Sequence, residues 1–452
     1  MTRKFTRRQF VRQTASAGAA FPLFLPGLSL ADPPSGKLNH AAIGVGGMMG
    51  LSDLQAIGSS PNAHIAAICD VDENHLNAAA EKFPGARKYS DWREMLEKEG
   101  DRIDSVSVTT ADHMHAPITM SAMNRGKHVY CQKPLTHSVH EARQIALTAK
   151  RNNLVTQMGI QIHSHFFYRK TVAMIQSGVI GKVHEFHSWH LDIPACPQSI
   201  PRPKGEDRIP SEVNWDLWLG VAPHRPFKKE VYHPFNWRGW VDFGGGGVGD
   251  MACHIFDPVF TALELGAPRR IRSRVPKQWL DSSQINTETW PKWEIVEYEF
   301  PGTRWTAGET LRGIWYDGGK QPPPEVAPLE EGKELPSGGT LFVGEEGVLM
   351  LPHVKAPELL PAERFKGYQA PKTKHHDHYH QWVDACLGKD QTSAPFSYAG
   401  PLTETVLLAN VAARFPQALE WDALALKVTN LPEANHYLRT PYRDGWAVEG
   451  LG

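Results

Sequence analysis

The stretch Gly44-Val45-Gly46-Gly47-Met48-Met49-Gly50 follows an apolar run, Ala41 to Val45, and opens a segment of helical periodicity. A glycine turn joining a strand to a helix sets the helix N-terminus over the carboxyl edge of a sheet, which commits the chain to strand-helix-strand packing. The residues beyond it keep that rhythm. Apolar runs at Ile65 to Ile68, Val106 to Thr109, Val129 to Cys131 and Val155 to Met158 alternate with helical stretches from near Gly50 and over 73–82, 91–98, 116–125 and 139–151. Ser138 stands three residues before Glu141, a capping box that fixes where the last of these helices begins. Residues 38–160 are therefore predicted as a Rossmann-type, doubly wound parallel sheet, and the fold class as α/β.

After Gln161 the rhythm stops. Trp and Tyr become frequent, runs such as Lys182 to Trp189 and Trp293 to Phe300 lack crossover helices, and prolines cluster at 194–210 and 322–328. Residues 161–400 read as a second, α+β domain with a large, mostly antiparallel sheet, and 401–452 as a C-terminal helix and tail packing back on the first domain. With 452 residues and a net charge of −1, the chain suits two domains and offers no basic field for nucleic acid. No stretch reaches the roughly 20 apolar residues of a membrane span. Residues 1–31 carry Arg3, Lys4 and Arg7-Arg8-Gln9-Phe10, then a weakly apolar stretch ending Ser29-Leu30-Ala31. That is the pattern of a twin-arginine signal peptide, so the twin-arginine export machinery is an expected partner and the periplasm the expected location. The five cysteines are scattered with no C-x-x-C spacing, which argues against a disulfide framework.

The glycine loop predicts a dinucleotide site. Gly44 allows the tight turn, Gly46 lets the backbone approach a diphosphate, and Gly47, Met48 and Met49 lead into a helix N-terminus that supplies N–H donors. Gly50 comes one residue later than in the usual fingerprint, which suits helix packing in a shifted turn. Asp70 ends the second strand, where a carboxylate accepts ribose hydroxyls. No Arg follows it, so NAD is expected over NADP. Lys133 leaves the carboxyl end of another strand, where it can steady a substrate oxygen as hydride leaves. Asp250, His254 and Asp257 are spaced to share one helix face, so His254 is expected between carboxylates that keep it basic, with the preceding glycines letting the backbone approach a ligand. Gln161 and His163 follow the last strand of the first domain. Tyr232, His233, Trp237 and Arg238 mix aromatic faces with donors, a combination suited to a sugar. His375 to His380 has a helical i,i+4 pair, His376 and His380, but without a distant ligand set it is read as a solvated, capping run and no metal is expected.

These motifs, together with Thr109-Thr110-Ala111-Asp112-His113-Met114-His115-Ala116 and Gly126-Lys127-His128-Val129 leading to Lys133-Pro134, resemble the Gfo/Idh/MocA oxidoreductases from about Leu38 to the C-terminus. The resemblance implies that Lys133 is the active-site lysine, that Asp250 and His254 are the acid–base pair, and that Thr110 and His115 line the nicotinamide side. It further implies an NAD-dependent enzyme oxidising a carbohydrate or cyclitol hydroxyl, and a homo-oligomer formed through the open sheet of the second domain; export away from the nicotinamide pool adds the expectation that the cofactor is tightly bound. A redox-neutral glycosidase or lyase working through a transient keto-sugar is an alternative outcome of the same site, and a non-catalytic NAD- or sugar-binding protein is a second. Two positions depart from the family pattern: Gln132 stands where Glu usually precedes the lysine, and Ala111 where Pro usually follows the threonine.

Overall fold

Leu38–Ile43 (β1) is buried along nearly its whole length, the signature of a strand flanked on both sides and covered on both faces. In the computed structural model, which describes residues 36–192 and 196–451, β1 pairs in parallel with Ala63–Cys69 (β2) on one side and Ser105–Val108 (β4) on the other. With Arg87–Tyr89 (β3), His128–Gln132 (β5) and Thr156–Gly159 (β6) it forms a six-stranded sheet in the order β3-β2-β1-β4-β5-β6. The chain reverses its direction of winding between β1 and β4, and there the carboxyl ends of the strands open a crevice. β3, with its exposed Arg87 and Lys88, is a short edge strand without the apolar pattern that marks the others. The twin-arginine motif lies outside the described residues.

The capping box forms as the sequence predicts. Ser138 Oγ accepts the Glu141 N–H at 3.4 Å while Glu141 Oε2 accepts the Ser138 N–H at 2.9 Å, and the helix runs Val139–Arg151. On it dock the Phe396–Ala412 helix, through a two-pronged Arg143–Glu404 pair at 2.7 Å, and the C-terminal tail, whose Tyr442 hydroxyl reaches Glu141 at 2.6 Å.

The second sheet has nine strands in the order β13-β12-β11-β7-β10-β9-β8-β14-β15. They are Val183–His190 (β7), Arg270–Arg274 (β8), Ile295–Pro301 (β9), Thr310–Asp317 (β10), Gly338–Gly344 (β11), Val348–Pro352 (β12), Glu358–Leu360 (β13), Leu419–Asp422 (β14) and Lys427–Val428 (β15). β7 and β10 are parallel, and the other pairings are antiparallel. Against one face lies the Gly246–Leu263 helix, with Phe256 set edge-on to Phe186, Tyr298 and Trp315. This packing fixes the end of that helix nearest the first sheet.

Residues 207–243 run back from the second sheet toward the first. Asn214 N donates to Val71 O and Glu73 N to Glu212 O, both at 2.9 Å, and Asp72 forms an isolated antiparallel bridge with Val213. Behind that junction Trp215, Trp218, Tyr232, Trp240 and Phe243 form a separate aromatic cluster. The segment is thereby stapled across the loop that follows β2.

Candidate active site at the switch point

One cavity runs from the glycine loop to the start of the Gly246–Leu263 helix. At one end the loop is shaped by steric necessity: Gly44 has φ +79°, and a Cβ there would lie 2.4 Å from Thr109 O, where the ends of β1 and β4 cross. Gly50 packs equally close, 2.6 Å from Gly44 O, which accounts for the longer spacing of the loop. The N–H groups of Gly47, Met48 and Met49 have no protein acceptor among the described residues, and the Gly50–Gly58 helix starts directly behind them. Free donors at a helix start fit a diphosphate, and the residues present therefore suit a dinucleotide.

Asp70 has a second task that the sequence pattern does not reveal. Its Oδ2 accepts the N–H groups of Val45 and Gly46 at 2.9 and 3.1 Å, and its Oδ1 that of Asp72 at 2.9 Å, so the carboxylate braces the glycine loop while lining the cavity. Gly46 is also required for a protein contact, since a Cβ there would fall 2.0 Å from the His75 ring. Asp72, His75 and His233 bring three potential metal-ligand atoms within 4.8 Å of one another. Asp72 already accepts from Asn74 N at 2.9 Å and faces His233 Nε2 at 2.8 Å, the arrangement of a hydrogen-bonded helix cap.

At the far end Lys133 Nζ donates to both the backbone oxygen and Oδ1 of Asp250, each at 2.8 Å, leaving its third N–H for a ligand. Arg238 Nε lies 3.3 Å from the same Oδ1, and its guanidinium rests on the rings of Phe235 and Trp237. Burial on its own would raise the Asp250 carboxyl, but the Lys133 and Arg238 charges outweigh it and hold the group down at about 2. Thr110, His115, Gln161, Trp237 and His254 complete the wall. His115 is buried, with ring nitrogens 2.7 Å from Pro134 O and 3.0 Å from Thr110 O, so it also ties the ends of β4 and β5 together.

Several expectations are corrected by this geometry. Asp250, His254 and Asp257 do share a helix face, yet neither carboxylate serves His254: Asp250 is held by Lys133 and Arg238, and Asp257 by His163 and the Tyr398 hydroxyl, both at 2.7 Å. His254 instead has His353 beside it, ring centroids 6.0 Å apart, and its Nδ1 is buried without a partner among the described residues. Burial first, then the Lys133 charge, pushes its pKa well below the usual value, so it is a neutral imidazole. The glycines before the helix make room for protein: a Cβ on Gly244 would meet Arg238 O at 2.6 Å, and one on Gly246 the Trp290 ring at 2.5 Å. Three substrate candidates also move. His163 is turned to Asp257, Tyr232 is 1% exposed inside the aromatic cluster, and His233 sits at the Asp70 end of the cavity. In the His375–His380 run, Asp377 caps the His378–Cys386 helix, His378 is bound inward to Ser164 and Met158, and His380 contacts Ser59.

Two features escaped the sequence reading. Gln132 donates to Asp53 Oδ2 at 2.7 Å, and Thr109 and Tyr379 donate to the same carboxylate, so an amide at 132 is matched to a buried acid. The signal was present in the replacement of Glu by Gln, but its partner 79 residues away was not. Asp112, in the Thr110-Ala111-Asp112 run, lines the cavity and accepts the Gly245 N–H at 3.2 Å.

Residues 38–160 match the family model described as an oxidoreductase family NAD-binding Rossmann fold, and residues 202–303 match that family's C-terminal alpha/beta domain. Levoglucosan dehydrogenase of Pseudarthrobacter phenanthrenivorans is 27% identical over 236 residues, covering 49% of this chain and 50% of the relative. Inositol 2-dehydrogenase of Salmonella typhimurium is 24% identical over 200 residues, covering 44% and 58%. The chain thus spans about half the length of the curated relatives it matches. Among solved structures, the WlbA dehydrogenase of Chromobacterium violaceum in complex with NADH and UDP-GlcNAcA aligns with a TM-score of 0.60 at 16% identity, over 86% of this chain and 96% of that one. An inositol dehydrogenase homologue from Azotobacter vinelandii, complexed with NADH and myo-inositol, aligns at 0.55 and 16%, over 85% and 98%. These last two likenesses are of fold. With models matched at residues 38–160 and 202–303, and the glycine loop, Lys133 and the Asp250–His254 helix on one cavity, the chain carries the NAD-binding Rossmann domain and the C-terminal alpha/beta domain of the Gfo/Idh/MocA oxidoreductase family.

Proposed function

We propose that the protein oxidises a secondary hydroxyl of a carbohydrate or cyclitol, passing hydride to NAD. The observation that carries this reading is the single cavity that joins the free N–H groups of the glycine loop to Lys133, Asp250 and His254. Bound NAD supplies the hydride acceptor. Asp70 and the loop would hold its adenosine and diphosphate, leaving Thr110 and Lys133 for its reacting end. Lys133, fixed by Asp250, donates its remaining N–H to the substrate oxygen, and neutral His254 takes the hydroxyl proton. Trp237 offers a flat apolar face to the C–H side of a sugar ring while Arg238 supplies donors at its edge. The dehydrogenases of levoglucosan and inositol among the relatives support a polyhydroxylated substrate.

Leu217, Trp218, His233, Pro234 and Phe235, on the segment stapled to the loop after β2, also line the cavity. Retention of the cofactor would suit an exported enzyme, carried folded through the twin-arginine route to a compartment poor in free NAD. Retention also favours a second reading, in which the keto-sugar undergoes elimination and regains its own hydride. A substrate deuterated at the oxidised carbon separates the two. Deuterium on the nicotinamide or on an added ketone indicates the oxidoreductase, and deuterium back on the same carbon of a cleaved product indicates the redox-neutral route. No transfer from any polyol or glycoside would refute both.

A further inference from the structure

The two cations at the Lys133 end of the cavity, Lys133 and Arg238, are both paired with Asp250, at 2.8 and 3.3 Å. A second carboxyl, Asp112, lies on the same wall, 2% exposed, and forms no ion pair among the described residues. Its one hydrogen bond there is from Gly245 N at 3.2 Å, which ties it to the start of the helix bearing Asp250. A buried acid beside a carboxylate that has already taken both cations is held near the balance between its two charge states. Oxidised and reduced nicotinamide differ by one positive charge on the ring. We propose that Asp112 sets how the site discriminates between NAD+ and NADH, its ionised form favouring the cationic ring and its protonated form removing that preference. The proposal rests on the reading above, in which the nicotinamide lies at the Lys133 end.

The surroundings leave Asp112 the titrating group near neutrality. Burial, then the Asp250 charge, raises its carboxyl to about 7, with Lys133 and Arg238 opposing. Asp250 itself stays ionised, held at about 2. From its own turn and the helix after it, His113 and His115 are lowered by burial to about 3 and 4, and burial also holds His254 well below its usual value. The thiols of Cys131 and Cys253 are raised to about 12, that of Cys196 is raised as well, and His137 reaches Gly244 O at 3.4 Å. Asp70, Asp72, His75 and His233 cluster at the end read as the adenosine site, which is identical in the two forms of the cofactor and so does not distinguish them.

The ratio is measured on the full-length protein as the potential of the bound NAD+/NADH couple relative to the free couple, read from the near-ultraviolet band of the reduced form. Between about pH 5.5 and 8.5 the preference for NAD+ should rise by about tenfold, the equivalent of one pKa unit between the two complexes. Its midpoint should fall near 7, the value for Asp112. Asp112→Asn should flatten the curve at its low-pH level with an unchanged far-ultraviolet circular dichroism spectrum. A flat wild-type curve, or a variant that keeps the wild-type response, would overturn the proposal. If Asp112→Asn does not fold, the wild-type midpoint decides alone, and a midpoint away from neutrality overturns the idea. Protein that binds neither form of the nucleotide would instead refute the cofactor reading itself.

Discussion

His254 carries the chemistry of the proposed hydride transfer, and its neutral imidazole has no carboxylate behind it. His254→Ala should lower single-turnover hydride transfer by about 10²- to 10⁴-fold with nucleotide still bound, whereas a rate within about threefold of wild type would remove the residue from the mechanism. Gln132 offers a second, independent check on the site. Gln132→Glu would set a carboxylate 2.7 Å from Asp53, so one of the two must hold a proton in the folded state. An acid raised in the folded protein stabilises it fully below about pH 4, and that stability is lost as pH rises. The variant should therefore melt below wild type by an amount that grows from about pH 4 to 8, on the order of 1–3 kcal/mol at neutrality. A constant difference across that range would show that Asp53 and the introduced carboxyl do not share a buried site. These identities were legible in the sequence while their partners were not. Spacing along one helix shows that Asp250, His254 and Asp257 share a face, but what lies across from that face is decided by elements more than 90 residues away.

At the level of elements, the first sheet was legible almost strand by strand because βαβ units announce themselves locally, through a glycine turn, a capping box and buried runs with little polar interruption. The second sheet was legible only in outline. Its strands pair across long loops, as β7 does with β10 and β11, and no local pattern encodes that register. The strap at 207–243 was invisible for the same reason, its Tyr232 reading as part of a sugar surface until its packing inside the aromatic cluster was seen, while Trp237 still lines the cavity. Two substitutions test elements that the sequence did specify. Gly44→Ala drives a Cβ into Thr109 O at 2.4 Å in left-handed backbone, so nucleotide binding should be lost before the fold is, measured by NADH fluorescence against circular dichroism. Ser138→Ala removes the cap of the Val139–Arg151 helix and should cost about 1 kcal/mol with little change in nucleotide affinity.

For the whole molecule, burial of uncharged imidazoles governs the response to acid. His40, His113, His115, His128, His353 and His378 are lowered by burial to about 3 or 4. The unfolded chain binds protons at these positions below about pH 6.5 that the folded protein refuses, so their effect is a loss of stability on acidification. Asp53, Asp112, Glu294, Asp317 and Glu404, raised by burial, act in the opposite sense, but they are fewer. The melting temperature should fall steadily from about pH 6.5 to 4, and a rise over that interval would contradict the burial pattern. The cavity itself bears on function, since the strap and the glycine loop both line it. The most direct test is to dialyse the purified protein exhaustively, add polyols and glycosides without free cofactor, and record the near-ultraviolet band of reduced nicotinamide. The account predicts that retained NAD is reduced in place by at least one of them, and that the band is absent in His254→Ala. Protein that emerges free of nucleotide, or bound NAD that none of these substrates reduces even after free NAD is supplied, would contradict it.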